Sequence, residues 1–383
     1  MVDTCPVLNE KLYSKRLGEI EDKCFQSAVE KMGLGKLVSA EPIPYGLFGQ
    51  NVFLNTTQGQ FVFRGCPHGP GQFEYERFMA EKLHAETQVP VPWPYLIDNS
   101  SEIFGWPYAI MPRMQGLQIE SPEVQANLTD DDRLGIAEAM GRILLEMQRL
   151  HYPYCGQLDA ETLTIIPVTD VFIPPWEKQK APENPDLLIN RAASSKASFP
   201  QWIASRISYF LNRAVEANDE AKGRMTTTDD VEWVEDLIQQ SGRALTVPFQ
   251  PCFVMDDFKE GNTVVSKIDG KWKVTGVFDL GTSYFGDGEA DTARLLLMYG
   301  MGGPTPDGRP HAFLKAYFHG ATTESIRPHF AERVTAYFLM ESVVFWSFFR
   351  PLGNYDAFPD FRAWFEPQLG NFQKNLTLIV QSL

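Results

Sequence analysis

Three polar side chains in this sequence have the types and spacing for chemistry: Asp257, Asn262 five residues later, and Asp279. They share one stretch, Cys252–Gly281, which reads C-F-V-M-D-D-F-K-E-G-N-T-V-V, then S-K-I-D-G-K-W-K-V-T-G, then V-F-D-L-G. An apolar run ends in a polar loop, a second leaves it, and after a short turn a third ends on Asp279. This pattern of strand, loop, hairpin and strand brings the three groups toward one mouth. Two carboxylates and an amide suit a hard cation such as Mg²⁺ held against phosphate oxygens. One carboxylate then remains free to accept a hydroxyl proton.

The stretch resembles the catalytic core of the kinase-like superfamily, where an Asp is followed five residues on by Asn and later by a strand-end Asp in a D-F-G-like triplet. Here the residues are D-F-K-E-G-N and D-L-G. With its flanking segments the chain is most similar to the aminoglycoside phosphotransferase family, which also holds small-molecule kinases. That resemblance implies a two-lobe, protein-kinase-like α+β fold, with a small antiparallel β-sheet N-lobe and a larger, mostly helical C-lobe. It implies ATP in the cleft and transfer of the γ-phosphoryl group to a hydroxyl of a small molecule. By the same resemblance Asp257 takes the hydroxyl proton, Lys259 neutralises charge on the transferred group, and Asn262 and Asp279 hold Mg²⁺.

One residue departs from the pattern. Met255 stands where the family carries a His that supports the loop, so the geometry of the loop is the point at issue. Met255 also motivates a second reading, a nucleotide-binding module without catalysis. A protein kinase is disfavoured, because no A-P-E follows D-L-G and a helix at Glu289–Tyr299 begins too soon for an activation segment. Hydrolase readings find neither G-x-S-x-G nor H-E-x-x-H.

The positioning elements follow in order. Residues 8–32 have loose helical spacing, and 1–35 form an N-terminal helical extension. Three short β-patterns, Leu37–Tyr45, Asn51–Thr57 and Gln60–Arg64, open an N-lobe at 36–114, with T-Q-G-Q as a tight hairpin. The resemblance lays the loop with Gly46 and Gly49 over the ATP phosphates, glycine permitting close backbone approach. It also places a cation at Arg64, paired with a carboxylate on the helix Gly71–Glu86. Glu76 is the expected partner, since Leu83 lies two turns along the same face; Glu74 and Glu81 are expected in solvent. A guanidinium can hold carboxylate and phosphate bidentately. A strand at Trp106–Met111 leads into M-P-R-M-Q-G, read as a hinge at 111–116; by the resemblance, its segment from Met111 to Met114 is expected to line the adenine slot.

The C-lobe, 115–383, begins with a helix at Asp130–Leu150 carrying Ile136, Met140, Ile143 and Met147 as a buried stripe. Proline-rich residues 152–200 read as a long surface excursion. Helices at 201–218 and 229–243 follow, the second starting at Thr228. After D-L-G, the resemblance has Asp291 hold the loop's backbone amides. In the resembled family, acidic residues of the C-terminal helices (here Pro310–His319, Arg327–Phe349, Phe358–Val380) often bind substrate amines, which makes Glu341 the first candidate, then Asp356, Asp360 and Glu366.

Composition sets outer limits. A chain of 383 residues with 44% apolar and 22% charged content has ample core for one large domain or two lobes. A net charge of −15 argues against nucleic acid and anionic membrane surfaces, and is compatible with an amine-bearing acceptor. Five scattered cysteines without a C-x-x-C pair suit a reducing compartment and no zinc site. Without a basic start followed by an apolar run, the expected location is the cytoplasm.

Overall fold

The computed structural model describes residues 20–43, 50–65, 67, 69, 71–175, 185–219, 225–319, 326–352 and 355–383. In the smaller lobe, α1 (Asp22–Lys31) precedes β1 (Leu37–Pro42), β2 (Gln50–Thr56) and β3 (Gly59–Gly65). Helix α2 (Gln72–Glu86), β4 (Leu96–Asp98) and β5 (Tyr108–Pro112) follow. The strands form one antiparallel sheet ordered β1-β2-β3-β5-β4. Alternation along the strands decides what faces what. Val52, Leu54, Phe63, Tyr108 and Ile110 close a core with Phe25, Ala28 and Val29 of α1. Arg64 follows Phe63 and so projects from the other face, toward α2. Its register partner Ala109 belongs to the main core together with Met79 and Leu83 of α2.

Between β5 and β6 (Leu117–Gln118) the chain turns at Gly116, whose φ is 148°. A Cβ there would lie 2.7 Å from Thr275 Oγ1 and 2.9 Å from the Val265 carbonyl. Only glycine fits so close a passage.

The larger lobe continues with α3 (Pro122–Asn127) and α4 (Asp130–Met147), which a Thr129–Asp132 capping box starts. Ile136, Met140, Ile143 and Met147 are all buried, as their spacing predicts. Next come β7 (Gly156–Asp159), β8 (Thr164–Pro167), α5 (Pro185–Glu216) and α6 (Thr228–Leu245). Then β9 (Cys252–Val254), β10 (Thr263–Ile268), β11 (Lys271–Val277) and β12 (Tyr284–Gly286) surround the polar loop. Helices α7 (Ala290–Met298), α8 (Arg309–Tyr317), α9 (Phe330–Phe349) and α10 (Phe361–Ser382) complete the chain. Two small antiparallel sheets, β11-β10-β6 and β8-β7-β12-β9, hold the loop between them. Helix α9 is the hub, packing against α5, α6, α7 and α10.

The expected architecture is present: a small antiparallel sheet lobe above a larger, mostly helical one. Two local readings are corrected. Residues 152–200 are not one irregular excursion; they hold the β7–β8 hairpin and the first half of the 32-residue α5. Pro200 lies inside that helix, where it costs about 3 kcal/mol. Burial of Phe199, Trp202 and Ile203 around it offsets that cost. Helix α6 is capped by Thr227 rather than Thr228, through a capping box with Asp230. Among the described residues, no helix is long and apolar enough to cross a membrane.

Candidate active site

Strand β9 delivers the chain to Met255, whose side chain is fully buried. The backbone N–H groups of Met255 and Asp256 donate to the two carboxylate oxygens of Asp291, at 2.8 and 2.9 Å. Burial pushes the Asp291 carboxyl up to about 8, with these two donors pulling the other way. Asp256 sits at φ 71°, in the left-handed region where a non-glycine residue is strained by on the order of 1 kcal/mol or more. Arg206 of α5 grips its carboxylate bidentately, at 2.7 and 2.8 Å. The loop therefore turns sharply at Asp256 and presents the next residue, Asp257, to the cleft.

Asp257 is surrounded by donors. Lys259 Nζ and Asn262 Nδ2 each lie 2.9 Å from Asp257 Oδ2, and Arg294 Nη2 lies 3.3 Å from Oδ1. Burial alone would raise this carboxyl. Arg294, Lys259 and the hydrogen bonds from Lys259 and Asn262 overcome burial and hold it below the ordinary carboxylate range.

Asn262 closes the loop. Its Nδ2 also donates to the Asp257 carbonyl at 2.9 Å, which leaves Oδ1 as the acceptor end of the amide. Its own carbonyl accepts the Phe278 N–H at 3.1 Å, so Asn262 abuts the strand end that carries Asp279. Asp279 has φ 70°, and its side chain is 46% exposed. An amide oxygen at the start of one hairpin strand and an exposed carboxylate just past the end of the other are of the types that fit a Mg²⁺ ion, which would take its remaining oxygens from phosphates and water. Among the described residues, no cluster of three or more His, Cys, Asp or Glu side chains could hold a metal alone.

Arg64 reaches into the same space from the small lobe. Its Nη1 donates to Glu76 Oε2, and its Nη2 lies 3.5 Å from Asp279 Oδ1. Glu76 has no exposed surface, and burial lifts its carboxyl to about 7 against the attraction of Arg64. Gln72 steadies the other oxygen at 3.0 Å. Glu81 is exposed, and Glu74 is half-buried on the helix surface.

The other expected residues fall in different places. Met111 is buried in β5, in register with Val62. Met114 lies on the link to β6, against Gly276, where a Cβ would approach it to 2.5 Å. Gly46 and Gly49 lie outside the described residues. Glu341 is 1% exposed on α9, with Oε2 2.8 Å from Arg294 Nε. It stands behind Asp257, out of reach of an acceptor amine. Asp360 caps α10 through the Ala363 N–H, and Glu366 pairs with Arg362 on the surface.

The family model for APH, the phosphotransferase enzyme family, matches residues 39–329. The chain belongs to this family. No curated protein matches it in sequence, but solved structures resemble this phosphotransferase over nearly its whole length. A putative aminoglycoside phosphotransferase from Ralstonia eutropha JMP134 shares 14% identity, covering 94% of this chain and 99% of its own, with a TM-score of 0.57. Aminoglycoside phosphotransferase APH(4)-Ia, as a thermostable mutant in ternary complex with ADP and hygromycin B, shares 16% identity, covering 93% and 97%, at a TM-score of 0.52. The GDP and kanamycin complex of APH(2")-IIIa shares 14% identity, covering 93% and 97%, also at 0.52. Likeness at this identity establishes the two-lobe, kinase-like fold.

Three charged residues of this phosphotransferase's site escaped the sequence reading: Asp256, Arg206 and Arg294. The doublet D-D at 256–257 was visible, and Arg294 follows Asp291 by one helical turn, a spacing that places both on one face. Nothing near Arg206 in sequence points to Asp256, because α5 is brought there only by packing.

Proposed function

We propose that this phosphotransferase moves the γ-phosphoryl group of ATP onto a hydroxyl of a small molecule. The observation that carries the reading is the joining of Asp257 to Asn262, with Asn262 set against Asp279 and Arg64 reaching Asp279 from the other lobe. In this reading residues 36–114 supply the nucleotide site, with adenine along the 111–116 link, and 115–383 supply the loop and the acceptor site.

When bound, Mg²⁺ would neutralise phosphate charge, held by Asn262 and Asp279. Arg64, fixed by Glu76, clamps the phosphates. Asp257 hydrogen-bonds the acceptor hydroxyl and aims its oxygen at the γ-phosphorus. As the new P–O bond forms, the bond to the bridging oxygen breaks and ADP leaves with that electron pair; the hydroxyl proton passes to Asp257. A carboxylate held below its ordinary range is a weak base, so most of its contribution is orientation. Lys259 shares Asp257 and lies where it can offset charge on the moving group. Met255 does not deprive the loop of support, because Asp291 already receives both adjacent N–H groups. The amide grip on 255–256 therefore favours an active enzyme over a nucleotide-binding module. Family neighbours solved with kanamycin or hygromycin B support a polyhydroxylated acceptor. The proposed use of ATP and the free thiols of the described Cys24, Cys155 and Cys252 support a reducing, cytoplasmic setting.

The test is ATP consumption against a library of hydroxylated metabolites, with Asp257→Asn as the blank. Phosphorylated product from wild type but not from the variant supports the reading. Mg·ATP binding with no turnover on any acceptor favours the inactive module.

A further inference from the structure

Helix α7 grips three consecutive loop residues with two side chains. Asp291 accepts the N–H groups of Met255 and Asp256. Arg294, one turn on, donates to the Asp256 carbonyl at 3.4 Å and lies 3.3 Å from the Asp257 carboxylate. Behind Arg294 stands Glu341, its Oε2 2.8 Å from Nε in an ion pair without hydrogen-bond alignment. One turn further along α9, the Phe345 ring lies 4.6 Å from the guanidinium carbon. Side-chain exposure rises along the row, from 2% at Glu341 through 11% at Arg294 to 24% at Asp257. The neighbouring acid, Asp256, is already matched by Arg206. Arg294 is thus shared between a buried carboxylate that fixes it and a cleft-facing carboxylate that it can fix.

We propose that Arg294, anchored by Glu341 and seated on Phe345, is a positioning residue that sets the direction of the Asp257 carboxylate. The inference rests on the phosphotransfer reading for the role of Asp257, though not for the contact itself. Asp257 has one oxygen held by Lys259 and Asn262, and Arg294 holds the other. Two points fix a carboxylate plane where one leaves it free to rotate. Lysine at 294 would supply charge without a fork able to meet Glu341, Asp257 and the Asp256 carbonyl together. Glu341 acts only through Arg294, so its loss should matter little once Arg294 is gone.

The test uses the slow hydrolysis of Mg·ATP, water standing in for the acceptor, in the full-length protein. Arg294→Met is expected to lower kcat by about 10²-fold, the scale of a small misplacement at a reacting group, with KM for Mg·ATP within about 2-fold. Arg294→Lys is expected to recover part of the loss. Glu341→Gln should lower kcat less than Arg294→Met, and the double variant should be no slower than Arg294→Met alone. Unchanged kcat in Arg294→Met, or losses that multiply in the double variant, would overturn the proposal. Should Arg294→Met prove too unstable, Arg294→Met with Glu341→Leu removes both members and carries the same expectation for kcat. Absence of hydrolysis in the wild type itself would count against the phosphotransfer reading alone. Crystal structures then decide this inference: Asp257 rotated away from its wild-type direction in Arg294→Met supports it, and an unmoved Asp257 overturns it.

Discussion

Two rows of the same three residue types meet at the cleft: Glu76–Arg64 of the small lobe, which reaches Asp279 of the large one, and Glu341–Arg294–Asp257 within the large lobe. In each, a glutamate with almost no exposed surface pairs with an arginine, which reaches a more exposed aspartate. Burial lifts both glutamates to about 7, the paired arginine opposing it. The rows differ at the outer end. Asp279 stands 46% exposed, and among the described residues its ion-pair partner is Arg64, 3.5 Å away. Asp257 is 24% exposed and is met by Lys259, Asn262 and Arg294 together. An aspartate left open suits binding of an ion; one pinned on both oxygens suits aiming a hydroxyl. In the proposed function the same device serves affinity at one wall and geometry at the other.

The largest expected effect separates the two outer carboxylates. Asp257→Asn should lower turnover by on the order of 10²–10⁴ while Mg·ATP affinity, by calorimetry, stays nearly intact. Asp279→Asn should lower affinity and turnover together. Finding the two patterns interchanged would break the comparison.

A smaller effect distinguishes the arginines. Truncating either to Met leaves a buried glutamate without its cation, so at about pH 8, where the glutamate is ionised in the wild type, each should lose about 3–5 kcal/mol of stability in denaturant titration. Only Arg64→Met should also weaken Mg·ATP binding, by about 10- to 100-fold, the worth of a charge-assisted hydrogen bond. Equal nucleotide affinity in the two variants would remove the assignment of Arg64 to the phosphates.

Smaller still is the pH signature of the glutamates. Each has a folded-state pKa near 7, above the ordinary value of about 4.3. A carboxyl raised on folding contributes stability that is fully present below the unfolded pKa and is lost as pH rises through the folded one. The stability difference between wild type and Glu76→Gln, or Glu341→Gln, should therefore shrink as pH rises from about 4 to about 7. A difference that grows over that window would contradict the burial account. As a control, Arg362→Ala, which removes an exposed pair with Glu366 on α10, should leave nucleotide binding and turnover unchanged.

How much of this was legible in the sequence follows the same division. Arg64 and Glu76 sit on a strand and the helix right after it, so once the resemblance pairs a cation on that strand with a helix carboxylate, helical phase is enough to select Glu76. The D-F-K-E-G-N loop and D-L-G end a hairpin, and local pairing alone brings Asn262 beside Asp279. The second row spans α7 and α9, whose mutual rotation no short-range pattern fixes; Glu341 stood out as a carboxylate in an apolar stripe, but its partner did not. Arg206 reaches Asp256 from α5, a helix half hidden by the proline signals at 182–200. Tertiary packing decided that helix against local propensity. Legibility ended where positioning passed from neighbouring elements to distant ones.

The most direct test of the central claim is a crystal structure with Mg²⁺ and a non-hydrolysable ATP analogue. The account predicts an ion bonded to Asn262 Oδ1 and Asp279 at about 2.1 Å, phosphates against Arg64, and Asp257 off the ion with its carboxylate facing the space beyond the γ-phosphate. An ion held by Asp257 with Asp279 turned away, or a nucleotide bound elsewhere, would contradict it.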